Sequence, residues 1–179
     1  MKAIYLDNAA TTKIDDEVLA LMYKTQQENF GNPSSTHQFG RKAKSAVETA
    51  RKNIAKHFNV TASEIVFTAG GTEADNLILN NAVLNLGVKR IITSKIEHHA
   101  VLHTCQYLQK THKITLDFVN VDEYGNINGN HLEELLSTSS DKTLVSLMHI
   151  NNEIGNMLSV AEVCERCKKY AALFHSDTV

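Results

Sequence analysis

The run Ile65-Val66-Phe67-Thr68-Ala69-Gly70-Gly71-Thr72-Glu73 decides how this sequence folds. Its first four residues are apolar or β-branched, the composition of a short buried strand. Two glycines follow, and then a helical spacing of apolar residues through Leu77, Leu79 and Val83. A strand that turns on glycines directly into a helix opens a βαβ unit. Downstream the alternation repeats. Strands are expected at 90–94, 114–119, 143–148 and 172–176, with helices over 100–109, around Leu132, Leu135 and Leu136, and from Ser159 to about Tyr170. Ser159-Val160-Ala161-Glu162 reads as a capping box for the last of these. Upstream, residues 1–14 form an arm, Asp15 or Asp16 caps a helix carrying Val18, Leu21 and Met22, and residues 28–36 read as a loop. A longer helix then starts at Ser35 or Thr36 and carries Ala43, Ala46, Val47, Ala50 and Ile54. Short strands separated by helices give an α/β class, with a mostly parallel sheet covered by helices on both faces.

Composition limits the function. The 179 residues hold 18 Lys plus Arg against 20 Asp plus Glu, and no stretch clusters basic residues with aromatics. A nucleic-acid partner is therefore not expected. No apolar run approaches the ~20 residues of a membrane span, and the N-terminus resembles neither a secretory signal nor a transit peptide. Three cysteines are too few for a disulfide scaffold. A soluble, cytoplasmic chain is the expectation. The ending at His175-Ser176-Asp177-Thr178-Val179 reads as the interior of a fold, so the chain is expected to be the N-terminal part of a larger domain, with residues 15–179 belonging to it.

In parallel sheets ligands bind outside the carboxyl ends of the strands. The segments there are Gly70-Gly71-Thr72, Glu97-His98-His99, Asn151-Asn152-Glu153 and Asp177. Glycines before a helix let backbone N–H groups approach an anion, and the helix dipole favours it. The same sequence also serves as a plain tight turn. His98 can stack on a planar ligand or move protons, or simply lie at the surface. His99 and His103 share a helix face, but no third ligand accompanies them, and no metal site is expected. Asp177 ends an apolar run, where a carboxylate calls for a cation such as a pyridinium nitrogen; alternatively it caps a following helix. Asn151 and Asn152 can donate to a ligand oxygen or hold the turn. Cys164-Glu165-Arg166-Cys167 falls within a helix rather than at its start, which favours packing over redox chemistry. Taken together, these residues describe a site for a planar, phosphorylated, nitrogen-containing cofactor.

Longer stretches resemble one family. Tyr5-Leu6-Asp7-Asn8-Ala9-Ala10-Thr11-Thr12, Gly31-Asn32-Pro33-Ser34-Ser35 with His37 and Gly40, and Thr68 to Asn76 are similar to the cysteine desulfurases. So are Glu97-His98-His99-Ala100-Val101, Met148 to Gly155 and His175-Ser176-Asp177. These enzymes belong to the class V aminotransferase group of fold-type I pyridoxal 5'-phosphate (PLP) enzymes. The resemblance implies that Gly71 and Thr72 hold the cofactor phosphate and that His98 stacks on the ring and assists proton transfer. It places Asn152 near the ring hydroxyl, with Asn151 as the neighbouring alternative, and pairs Asp177 with the ring nitrogen. It further implies conversion of L-cysteine to L-alanine, with sulfur passed as a persulfide to an enzyme cysteine. A homodimer and a sulfur-acceptor or iron–sulfur scaffold partner are implied as well.

The family's Schiff-base lysine and sulfur-accepting cysteine match no residue here: neither Lys95 nor Cys105, Cys164 or Cys167 stands at those positions. The chain alone is accordingly expected to be inactive. A non-catalytic half-site, a complementing subunit, a selenocysteine lyase and another class V aminotransferase remain the alternatives.

Overall fold

The computed structural model describes residues 3–179, which divide into two compact units, one ending at Phe67 and the other running from Thr68 to Val179.

In the first unit, Asp15 accepts a hydrogen bond from the Glu17 amide at 2.8 Å and starts α1 (Asp16–Glu28). Helix α2 (Gln38–Phe58) begins later than the sequence suggests. Its cap is His37, whose Nδ1 accepts from the Gly40 amide at 3.3 Å, rather than Ser35 or Thr36. The reason is local. Asn32 takes the Ser34 amide on its side chain and the Ser35 amide on its carbonyl, which holds residues 32–35 in a turn. Gly40 is buried against that turn, and a Cβ there would lie 2.7 Å from the Asn32 carbonyl oxygen. Helix α2 ends on Asn59 in the left-handed conformation, φ 54°.

The strand expected at Ile65–Thr68 does not form. A single 3₁₀ turn (Ala62–Glu64), held by the Thr61/Glu64 capping box, leads into residues 65–67, which have no strand partner among the described residues. A strand needs a neighbour to take its backbone groups. Here Arg51 instead donates to the Ile65 carbonyl and sets its guanidinium 4.7 Å from the Phe67 ring centre.

The second unit carries the alternation. Its elements are α3 (Gly71–Leu84), β1 (Arg90–Thr93), α4 (His99–His112), β2 (Thr115–Phe118), α5 (Gly129–Ser137), β3 (Thr143–Ser146), α6 (Val160–Lys169) and β4 (Leu173–His175). Four strands in the order β2-β1-β3-β4 pair in parallel throughout, so the sheet has one strand fewer than the sequence suggests. Every residue of β1 and β3 is buried, as central strands covered on both faces require. Period-two alternation divides the core. Ile91 and Leu144 pack with Leu79, Val101 and Leu108 of α3 and α4. Ile92 and Val145 pack with Leu132, Val163 and Cys167 of α5 and α6. At the amino end of β1 the buried Arg90 guanidinium meets Asp117 of β2 at 2.5 Å and the Leu135 carbonyl at 2.6 Å. The Ser159 capping box does not close: Ser159 makes no side-chain cap, and Glu162 instead lies 3.7 Å from Arg166 one turn on.

The loops at the carboxyl edge are braced across the strands. Glu97, buried in the β1–α4 loop, accepts from the Ser94 hydroxyl at 2.6 Å and from the Met148 amide beyond β3 at 2.9 Å. Asn151 returns the tie by donating to the Ile96 carbonyl at 2.8 Å. Burial pushes the Glu97 carboxyl up to about 7, its two hydrogen bonds opposing and Asp177 and Asp75 adding to the rise.

Two outcomes follow from these contacts. Gly40→Ala drives a methyl into backbone oxygens that cannot yield, and is expected to cost roughly 1–3 kcal/mol in urea unfolding. For Glu97, the native state holds a proton that the unfolded state has released between about pH 4.5 and about 7. Its contribution is therefore full below that window and is lost as pH rises through it, at up to about 1.4 kcal/mol per pH unit. Glu97→Gln cannot titrate, so its stability relative to the unaltered chain should rise between pH 5 and pH 8. Parallel pH profiles for the two proteins would contradict this.

Candidate cofactor site

The second unit's sheet ends, on the α3/α4 face, in a polar row. Continuing the strand register places Thr93 beside Ser146, and Ser146 pairs with His175. The Ser146 hydroxyl and His175 Nδ1 are 2.9 Å apart, and His175 Nε2 lies 3.4 Å from Asp75 Oδ1, reaching from the second turn of α3. All three of these side chains are buried. The β3–β4 pairing continues past the named strands, with the His149 amide donating to the Asp177 carbonyl at 2.8 Å. Residues two apart on a strand share a face, so Asp177 lies on the same side as His175, toward α3. The Val179 amide donates to Asp177 Oδ1 at 3.1 Å, and the Val179 side chain rests on the glycine turn: a Cβ on Gly71 would lie 2.5 Å from it. Asp177 thus sits between two contacts with the start of α3, one at Gly71 and one at Asp75.

No side chain caps α3 at Gly70, which leaves the N–H groups at its first turn directed outward. Glu73 folds back to accept from the Ala69 amide at 2.6 Å, which fixes the turn from behind. The Thr72 carbonyl accepts from Asn76, and Asn76 Oδ1 accepts from the Thr104 hydroxyl of α4 at 2.7 Å. His98 caps α4: its Nδ1 accepts from the Ala100 amide at 3.1 Å, which leaves Nε2 as the nitrogen carrying the proton on the neutral ring. An open groove of about 480 Å³ includes Thr72, Asn76, His98 and Thr104, and another of about 530 Å³ over residues 69–73 shares Thr72 and Asn76 with it.

The electrostatics join the same residues. Burial raises the Asp75 carboxyl to about 6, the negative Asp177 adding to the rise and His98 opposing it. Burial holds His175 below the usual imidazole range, with Asp177 pulling the other way.

Gly71, Thr72, His98 and Asp177 are therefore brought to one edge around α3 and α4. The two asparagines separate. Asn151 is buried and fully used by the loop, donating to Ile96 and accepting the Glu153 and Ile154 amides at 2.9 and 3.1 Å. Asn152 is exposed, 3.4 Å from the Glu153 carboxylate. The His99 and His103 rings stack at 5.0 Å. Cys105 and Cys167 are buried, and burial pushes their thiols up to about 12 and about 11. Sequence reasoning did not single out Asp75, Ser146 or His175. Their signal was a polar residue at an inward position of an otherwise apolar strand, and an acid one turn into a helix that packs on that strand. A second cleft of about 360 Å³ lies on the α5/α6 side, bordered by Glu97, Asn128, Asn156 and Arg166.

Comparison with known proteins agrees with this architecture. The aminotransferase class-V family profile matches residues 4–179. The chain is 42% identical over 180 residues to a cysteine desulfurase IscS of Dictyoglomus turgidum, covering 99% of this chain and 45% of that protein. It is 44% identical over 182 residues to a cysteine desulfurase IscS of Clostridium botulinum, with 99% and 45% covered. The solved structure of a NifS-like protein superposes with a TM-score of 0.87 at 39% identity, over 96% of this chain and 48% of the other. The chain thus spans about half the length of the curated relatives it matches. No helix among the described residues is long and apolar enough to cross a membrane. The chain belongs to the aminotransferase class-V family.

Proposed function

We propose that this chain is the cofactor-binding part of a cysteine desulfurase and that the rim where α3 and α4 start, between Gly71, His98 and Asp177, takes PLP. Residues 15–179 would then be the N-terminal part of the large PLP-binding domain, with residues 1–14 as an arm. The observation that carries this reading is the clasp of residues 175–179 on the start of α3, which sets Asp177 beside an uncapped helix start. A phosphate needs N–H donors and positive partial charge, a pyridinium nitrogen needs a carboxylate, and a flat ring needs a flat partner. The residues present fit all three needs.

In this reading the Gly71 and Thr72 amides and the Thr72 hydroxyl bind the phosphate. His98, its ring orientation fixed by the Ala100 amide, covers the ring face and holds a proton at Nε2 for transfer. Asn152 donates to the ring hydroxyl, and Asp177 keeps the ring nitrogen protonated. When bound, PLP supplies an electron sink that stabilises negative charge developing on the amino-acid substrate, here L-cysteine on its way to L-alanine. The buried, high-pKa thiols of Cys105 and Cys167 are unsuited to accept sulfur, because the thiolate is the nucleophile. The sulfur-accepting cysteine and the Schiff-base lysine are assigned to residues outside this sequence, and these residues alone are proposed to bind the cofactor without turnover. A homodimer in the cytoplasm, delivering sulfur to an acceptor or iron–sulfur scaffold protein, completes the proposal for the longer polypeptide.

PLP titrated into the chain should give a saturable absorbance change. Asp177→Ala should weaken that binding about tenfold or more, as expected when a charged hydrogen bond of about 1.5–3 kcal/mol is lost. Gly71→Ala should weaken it too, by displacing Val179 from the turn. An Asp177→Ala variant that binds PLP as the unaltered chain does would remove Asp177 from the nitrogen-binding role.

A further inference from the structure

Helix α3 and the β4 exit are tied by a buried polar contact that the cofactor reading does not use. Asp75 is only 4% exposed and His175 8%, and the gap between Asp75 Oδ1 and His175 Nε2 is 3.4 Å. His175 is held from its other side by Ser146 on β3 at 2.9 Å, so its ring cannot swing without losing that partner. Four residues separate Gly71 from Asp75, which puts both on one face of α3. Four residues also separate His175 from Val179, and these two pair with Asp75 and Gly71 respectively. Asp177 lies midway. The Val179 end of this clasp is an apolar contact of an exposed side chain, whereas the Asp75 end is buried and polar, and so has the more defined geometry.

We propose that Asp75, acting through His175, is a positioning residue that sets the span between the glycine turn and the Asp177 carboxylate. This rests on the PLP reading and deepens it, because that span must match the distance from a phosphate to a ring nitrogen within one rigid ligand. Such a ligand tolerates little error at either end: about 1 Å of misplacement is enough to lose a directed hydrogen bond. A ligand anchored at the phosphate alone does not sense the span.

Two probes separate these cases. PLP engages both ends, whereas benzyl phosphate offers the same phosphate and a flat ring without the nitrogen. Each is titrated into the unaltered chain, Asp75→Ala and Asp75→Asn, with folding of each variant checked by circular dichroism. Asp75→Ala is expected to weaken PLP about tenfold and to leave benzyl phosphate within about twofold. Asp75→Asn keeps an oxygen that can accept from His175 Nε2, and should restore most of the loss. Equal weakening of both probes, or none for PLP, would overturn the positioning role while leaving the PLP reading intact. Failure of the unaltered chain to bind PLP would overturn the PLP reading, and the positioning role with it. Should Asp75→Ala fail to fold, His175→Gln gives the same comparison: it is expected to weaken PLP selectively, and parallel changes in the two probes again overturn the proposal.

Discussion

Parallel pairing constrains the rest of the second unit. Strands that run the same way cannot be joined by hairpins, so each connection must leave at the carboxyl edge, pass through a helix and return to the amino edge. The loops that leave β1 and β3, and the segment that leaves β4, therefore gather at one rim, and helix starts gather with them. The apolar core needs only two faces of alternating Ile, Val and Leu. At the rim polar groups are buried against one another, as Arg90 is against Asp117 at the amino edge. Asp75, Glu97, Asn151 and His175 are all at the rim, each within four residues of a group assigned to the cofactor.

The buried polar groups at the rim act on loops rather than on the core. Glu97 and Asn151 hold the β1 and β3 exits to each other, and Asp75 and His175 hold α3 to the β4 exit. Desolvation makes this costly for the carboxylates, whose pKa values rise accordingly. The return is two buried ties across the rim, beside the exposed Val179 contact at the glycine turn.

The sequence carries the second unit well. Strands at 90–94, 114–119 and 143–148 were legible because their Ile, Val and Leu are flanked by turn residues, and the structure trims each by one or two residues at the ends. The residues 65–68 were misread for a physical reason. β-branched composition states that a segment can be a strand, but pairing depends on a neighbour, and the Ile65 carbonyl was taken by a side chain on α2. The Ser159 box failed similarly, because Glu162 had Arg166 as an alternative partner. Among the proposed site residues, His98 and Asp177 were legible from their places after strands, and the glycine turn from its place before a helix, although no strand precedes it. The choice between Asn151 and Asn152 was not, since only the fold shows which amide the loop consumes. Asp75 and His175 lie in stretches the resemblance covers, but their contact was not legible, since it joins residues a hundred positions apart.

His98 closes one end of a helix with the nitrogen that faces away from its free edge. That one hydrogen bond couples two things usually set apart: where α4 opens, and which tautomer of the imidazole is turned toward the groove.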